Sequence, residues 1–178
     1  MDSGAVLDTS SLIILAKLQE LEALYEVYGP LSITPSVFAE AVERGKQLGK
    51  DDALVIEAAI REGWVSIAKL SRRQGRLATG LQVSASLGRG ESEALAYAKD
   101  TEARLIIEER RGRTVARAHS IEYTVLQVFP LEGYVLRKLP YPRCVDLLER
   151  VAVAMNTDLA VLQGIRMAVE AIRSEREK

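Results

Sequence analysis

Four separate stretches of the chain each place an acidic side chain beside a short apolar run: Asp8, Glu40, Glu91 and the pair Glu108-Glu109. Carboxylates gathered at one point repel one another unless a cation neutralises them. An all-oxygen donor set selects hard ions, Mg²⁺ or Mn²⁺, over softer ones. Such a site suits metal-assisted hydrolysis of a phosphodiester, in which one or two ions activate water and stabilise the leaving oxygen.

Other chemistries lack their residues. One cysteine, Cys144, and one histidine, His119, cannot build a zinc cage. They also remove most Ser-His-Asp and Cys-His schemes, and no G-x-S-x-G elbow occurs. Neither a G-x-x-x-x-G-K-[ST] phosphate loop nor a G-x-G-x-x-G dinucleotide fingerprint is present. A haloacid-dehalogenase-type phosphotransfer site needs a second acid two residues after its strand-end aspartate, and here that position is Ser10.

Something must bring the four acids together. Ala5-Val6-Leu7-Asp8 reads as a buried strand, followed by helical spacing at Leu18, Leu21, Tyr25 and Tyr28. Gly29-Pro30 stops that helix, Leu31-Ser32-Ile33-Thr34 is a second strand, and Thr34-Pro35 opens the next helix. Asp51 and Asp52 precede a helix to about Glu62, and Trp64-Val65-Ser66-Ile67-Ala68 alternates like a strand. Residues 71–89, rich in Ser, Gly and Arg, read as a long loop. A helix over 90–101, a strand at Arg104-Leu105-Ile106-Ile107, a helix over 112–119 and a strand at Tyr123-Thr124-Val125 complete the alternation. Strands alternating with helices imply a parallel sheet covered on both faces, a three-layer α/β/α arrangement. After Pro140-Tyr141-Pro142 come two amphipathic helices, one with Leu148, Val151, Ala152 and Met155, the other with Leu159, Leu162, Ile165, Val169 and Ile172. The expected division is therefore an α/β domain over 1–139 and a helical extension over 140–178, packing on that domain or on a dimer partner.

In an open parallel sheet, ligands sit beyond the carboxyl ends of the strands. Asp8 ends the first strand there and Glu108-Glu109 the fourth. At ~100° per residue, Ala94, Leu95 and Ala98 define an apolar helix face with Glu91 near its centre and Glu93 roughly opposite. Glu40 borders the face formed by Val37, Phe38, Ala41 and Val42, whereas Glu43 lies on the polar side. Each acid also has a structural reading: Asp8 as an N-cap, Glu91 and Glu108-Glu109 as partners of a helix dipole, Glu40 as a solvated helix residue. Convergence on one edge favours the metal site.

Length and composition fit a globular protein. The chain has 178 residues, 48% apolar and 28% charged, with 24 basic and 25 acidic groups and a net charge of −1, so any nucleic-acid binding must come from local clusters. Arg110, Arg113 and Arg117 form a helical stripe beside the acids, and Arg72, Arg73, Arg76 and Arg89 flank the segment over 71–89; either group could grip phosphates or pair with nearby glutamates. With aromatics at 5%, base stacking is not written into the chain. No apolar run approaches the ~20 residues that span a bilayer, and the N-terminus lacks a basic leader region, so a soluble, cytoplasmic protein is expected.

Four segments carry a family resemblance: Ala5-Val6-Leu7-Asp8-Thr9-Ser10-Ser11-Leu12-Ile13, Ile33-Thr34-Pro35-Ser36-Val37-Phe38-Ala39-Glu40, Gly90-Glu91-Ser92-Glu93-Ala94-Leu95-Ala96-Tyr97-Ala98, and Leu105-Ile106-Ile107-Glu108-Glu109-Arg110-Arg111-Gly112-Arg113. In order and spacing they resemble the PIN-domain family. The resemblance implies an α/β/α nuclease with an acidic Mg²⁺ or Mn²⁺ site, acting on RNA as an endoribonuclease. Many prokaryotic members are VapC-like toxins paired with a small antitoxin protein, and a homodimer is expected. By position, Asp8 matches the first-strand aspartate and Glu40 the second-helix glutamate. Glu91 is the third acid, with Glu93 as alternate, and Glu109 the fourth, with Glu108 as alternate. Asp8, Glu91 and Glu109 would be the metal ligands, and Ser10 resembles the hydroxyl residue that supports the first aspartate. Family members more often carry aspartates where this chain has Glu108-Glu109. The rival reading is a non-catalytic PIN-like module that binds RNA or a protein.

Overall fold

The computed structural model describes residues 4–177. They form two compact units, one through Thr124 and one from Val125.

The first unit is built on five strands, β1 (Ala5–Leu7), β2 (Leu31–Ile33), β3 (Val65–Ile67), β4 (Arg104–Ile106) and β5 (Tyr123–Thr124). All neighbours are parallel and the order is β3-β2-β1-β4-β5, with Ala5 opposite Leu31 and Val6 opposite Leu105. β1 is a continuous apolar triplet because both of its faces are covered, and β2 and β4 each bury two of their three residues beside it. Val6, Leu105 and Ile107 share one buried cluster with Leu81, Leu95, Ala98 and Ala116. Leu7 and Ile106 alternate to the other face and are equally buried. The arrangement is a three-layer α/β/α fold.

The strand order fixes where a ligand can sit. The chain leaves β1 towards β2 on one side and later returns to β4 on the other, so a crevice opens at the carboxyl ends of β1 and β4. Asp8 follows β1 directly, and its N–H donates to the Ile106 carbonyl of β4 at 3.1 Å. That bond ties the first acid to the strand whose end carries Glu108 and Glu109.

The helices of this unit are α1 (Thr9–Leu18), α2 (Leu21–Tyr28), α3 (Pro35–Phe38), α4 (Arg44–Gln47), α5 (Asp51–Glu62), α6 (Arg72–Ala85), α7 (Arg89–Thr101) and α8 (Arg110–Ala118). Where one helix was expected after β1 there are two, because Gln19 turns left-handed at φ 58° and caps α1. Thr34 in extended conformation and Pro35 at the first helical position start α3. The helix then widens into a π-helical turn, Ala39–Glu43, before α4. Such turns recur at functional sites, and this one carries Glu40.

The loop expected over 71–89 is mostly helix. Ser71 accepts from the Gln74 N–H while the Gln74 side chain accepts from the Ser71 N–H, a reciprocal capping box that starts α6. Ala78 and Leu81 then bury one narrow face of α6, which packs against α7. A stripe of small residues is enough when the neighbouring helix lies close.

The second unit contains α9 (Phe129–Val135), α10 (Tyr141–Ala154) and α11 (Leu159–Arg176), the last capped by Asp158. Its own core is Tyr134, Cys144 and Val169, bordered by Leu131, Val145 and Ile172. The guanidinium of Arg173 lies 4.2 Å from the Tyr141 ring centre, and that of Arg176 lies 4.6 Å from Tyr134. Burial pushes the Cys144 thiol up to about 11, so it is a core side chain and not a nucleophile. Of the stripe expected on α11 only Val169 is buried; Leu159 is 66% exposed. Among the described residues, no helix is long and apolar enough to cross a membrane.

Candidate active site

Beyond the ends of β1 and β4 lies a cleft of about 370 Å³ whose lining includes Asp8, Glu40, Glu91 and Glu109. Each arrives by a different local rule. Asp8 is the N-cap of α1, with Oδ1 accepting the Ser11 N–H at 2.7 Å and the Ser10 hydroxyl at 3.1 Å. Its Oδ2 accepts the Glu108 N–H at 3.1 Å. Asp8 is 2% exposed, and three donors hold its carboxylate in one orientation. Glu40 comes from the π turn, where Oε2 accepts the Thr9 hydroxyl at 2.6 Å. Glu91 stands in the first turn of α7, with Oε2 accepting the Gly88 N–H at 3.1 Å. Its other oxygen, Oε1, is buried with no hydrogen-bond partner. Glu109 is the exposed N-cap position of α8.

Two glycines allow this convergence. A Cβ on Gly90 would lie 2.9 Å from the Thr9 hydroxyl oxygen and 3.3 Å from Glu40 Oε2, so only glycine lets α7 approach the Thr9–Glu40 pair this closely. A Cβ on Gly112 would lie 2.3 Å from the tip of Ile107 and 3.5 Å from Glu91 Oε1. The close approach of Ile107 is what requires glycine there, beside the unpartnered oxygen.

Burial raises the Glu91 carboxyl above its ordinary 4.5, the Gly88 N–H opposes the shift, and the charges of Asp8, Glu109 and Glu40 add to it. All three neighbours therefore act electrostatically on one atom group. Among the described residues, no three acids stand as a ready-made ion site. An unsatisfied buried oxygen, three further carboxylates and no nitrogen or sulfur donor make a set suited to a hard divalent cation.

The structure separates the two alternates from the cleft. Glu93 is 6% exposed and faces α3, with Oε2 accepting the Ser36 N–H at 3.0 Å, Oε1 accepting the Ser36 hydroxyl at 2.6 Å, and Arg89 Nε 3.3 Å away. The helical wheel set Glu93 on the solvent side; α3 packs there instead and makes the carboxylate a structural clamp. Glu93→Ala is therefore expected to cost about 2–3 kcal/mol of stability, read as a lower urea midpoint, because two donors are left buried without their acceptor. Glu108 does not line the cleft; its contribution there is the backbone N–H that fixes Asp8.

Of the arginine stripe, Arg110 borders a second hollow of about 440 Å³ with Arg111 and Thr114, and Arg113 and Arg117 line neither opening. Two cleft residues escaped the sequence reading. Arg111 lines the cleft itself, and Thr9 holds Glu40. The signal for both was adjacency: each is next to a residue already chosen for its chemistry.

Comparison with known proteins agrees with this geometry. A family model described as a PIN domain matches residues 4–126, covering β1 to β5 and every residue of the cleft. No curated protein matches the chain.

Proposed function

The chain belongs to the PIN-domain family, a nuclease-type fold that typically works with divalent metals, and from that premise we propose that it is a Mg²⁺- or Mn²⁺-dependent endoribonuclease. The observation that carries the proposal is Glu91 Oε1, buried, unpartnered and surrounded by Asp8, Glu40 and Glu109.

Asp8, Glu91 and Glu109 would hold the ion. When bound, it supplies Lewis-acid polarisation of the phosphate and lowers the pKa of attacking water. The protein's own contribution is orientation. Ser10, Ser11 and the Glu108 N–H fix Asp8, so its carboxylate loses no freedom on engaging a ligand. Thr9 holds Glu40 towards the same space, where it can orient water. Arg111 on the rim and Arg110 beside it are placed to draw phosphate oxygens to the carboxylates, with Arg113 and Arg117 further along the same helix. Glu109 is longer than the aspartate usual at this place, and its exposed position gives it the freedom to swing inward.

The test is incubation of the purified chain with a pool of structured RNAs, with and without Mn²⁺ or Mg²⁺. Internal cleavage that EDTA abolishes is expected. Intact RNA at saturating metal would replace the hydrolase with the non-catalytic RNA- or protein-binding reading, which the Glu108-Glu109 pair favours. The same family membership supports, as part of the proposal, a VapC-like toxin role with a small antitoxin protein as partner, a homodimer and a cytoplasmic setting. Co-purification with the product of an adjacent small gene and a dimeric mass in solution are the expected results.

A further inference from the structure

Outside the carboxylate cleft, the first unit has a groove of about 920 Å³ bounded by α6 on one side and the starts of α3 and α7 on the other. Its charged lining is Arg72, Arg76, Arg89 and Glu93. The one carboxylate is already spent, because Glu93 accepts from Ser36 and pairs with Arg89. Arg73 next door pairs with Asp100 at 3.6 Å. Arg72 and Arg76 stand one helical turn apart, both exposed, and among the described residues neither has a carboxylate partner. Two uncompensated guanidiniums thus lie on the same wall of one groove.

The groove adjoins the cleft. Gly88 and Gly90 line the cleft while Arg89 between them lines the groove, and Pro35 borders the groove on the segment that leads to Glu40. The first turn of α7 is a shared wall. The metal-free cleft, with four carboxylates against Arg111 alone, repels a polyanion, so cations close by but outside add to the attraction that holds it. Arg72 and Arg76 occupy that place. The Ser71–Gln74 capping box starts a helix whose first turn carries Arg72 and Arg73 and no acid, against the preference of the helix dipole.

We infer that the α6 groove is a second, non-catalytic subsite that grips the phosphates of single-stranded RNA leading into the cleft, with Arg72 and Arg76 as the contacts. None of its lining residues is aromatic, so it holds the backbone and does not read bases. The identity of the polymer rests on the ribonuclease proposal; the groove and its charge do not.

The experiment separates the two. Anisotropy of a fluorescein-labelled 12-nucleotide oligouridylate is followed on the full-length Asp8→Asn chain in EDTA, where cleavage and metal play no part. Arg72→Gln/Arg76→Gln in that background is expected to weaken binding on the order of 10- to 30-fold at 0.1 M salt and to flatten the slope of log K against log salt by about 1.4, two contacts at about 0.7 each. The charge-matched control Lys50→Gln/Arg61→Gln, on and beside α5, is expected to change neither. Far-ultraviolet dichroism of every variant checks the fold. Equal RNA affinity in the α6 variant and its parent would overturn the inference. So would a labelled polyglutamate peptide that binds through Arg72 and Arg76 where the RNA does not. Arginine-dependent RNA binding by a chain that never cleaves RNA would sustain the groove and sink the hydrolase.

Discussion

Asp8→Asn is expected to lower metal-dependent RNA cleavage by about a thousandfold while leaving a folded protein. Several kcal/mol of transition-state stabilisation depend on a correctly held ion, and about 4 kcal/mol corresponds to that factor. Asparagine keeps the N-cap, since its side-chain oxygen can accept the Ser11 N–H as Oδ1 does now. The other side is different. The amide NH₂ would face the Glu108 N–H, which donates to Oδ2 in the wild type, and two donors cannot satisfy each other. Leaving that N–H without its acceptor costs about 1–3 kcal/mol. Removing one negative charge from beside Glu91 relieves repulsion and offsets part of that cost, since the Asp8 charge is only a secondary contributor to the raised Glu91 carboxyl, behind burial. A modest net loss follows, visible as a lower urea midpoint and far too small to unfold the chain at assay temperature. Calorimetry should show Mn²⁺ binding weakened in parallel with cleavage. Undiminished cleavage by the variant would refute the site, whatever the stability change.

How much of this could be read from the residues depends on whether the deciding contact is local. β1 was legible because a strand buried on both faces reads as an uninterrupted apolar run, β2 and β4 as shorter apolar stretches broken by Ser32 or opened by Arg104, and Asp8 was legible because it ends β1. The inward direction of Glu91 followed from helix period alone, with Ala94, Leu95 and Ala98 marking the face. Glu93 shows the limit. Period placed it away from the sheet, and it does point away, yet it is buried because α3, more than fifty residues earlier, packs on that side. Helix α6 failed for another reason. Its buried face is built from Gln74, Ala78 and Leu81, too small and polar for an amphipathic pattern, although the Ser71–Gln74 spacing was a usable start signal. The break at Gln19 and the π turn at Glu40 rest on backbone conformations that residue type does not dictate. The Thr9–Glu40 bond spans 31 positions and required the fold.

Glu91→Gln is expected to abolish cleavage and yet make the metal-free protein more stable at neutral pH. The glutamine oxygen can keep the Gly88 N–H, and its NH₂ can donate where the wild type has an unpartnered buried oxygen amid negative neighbours. The sign follows from linkage. Burial and the charges of Asp8, Glu109 and Glu40 raise the Glu91 carboxyl in the folded chain above its unfolded value of 4.5, so folding favours the protonated form. Its favourable share of stability is full below pH 4.5 and is lost as pH rises through the folded value. Glutamine stays neutral throughout. The stability difference between variant and wild type, measured in EDTA, should therefore be smallest near pH 4 and widen towards pH 7, reaching about 2–4 °C in melting temperature. Saturating Mn²⁺ should reverse the ranking, since a ligand at 100 times its dissociation constant stabilises the native wild type by about 2.7 kcal/mol, and the variant lacks the carboxylate that would hold it. A melting curve that is the same for both proteins at every pH and metal concentration would mean that Glu91 Oε1 meets neither its neighbours' charges nor an ion. A crossing places the cost of the apo cleft and the affinity for metal on the same oxygen, as expected of a carboxylate kept for chemistry at the expense of stability.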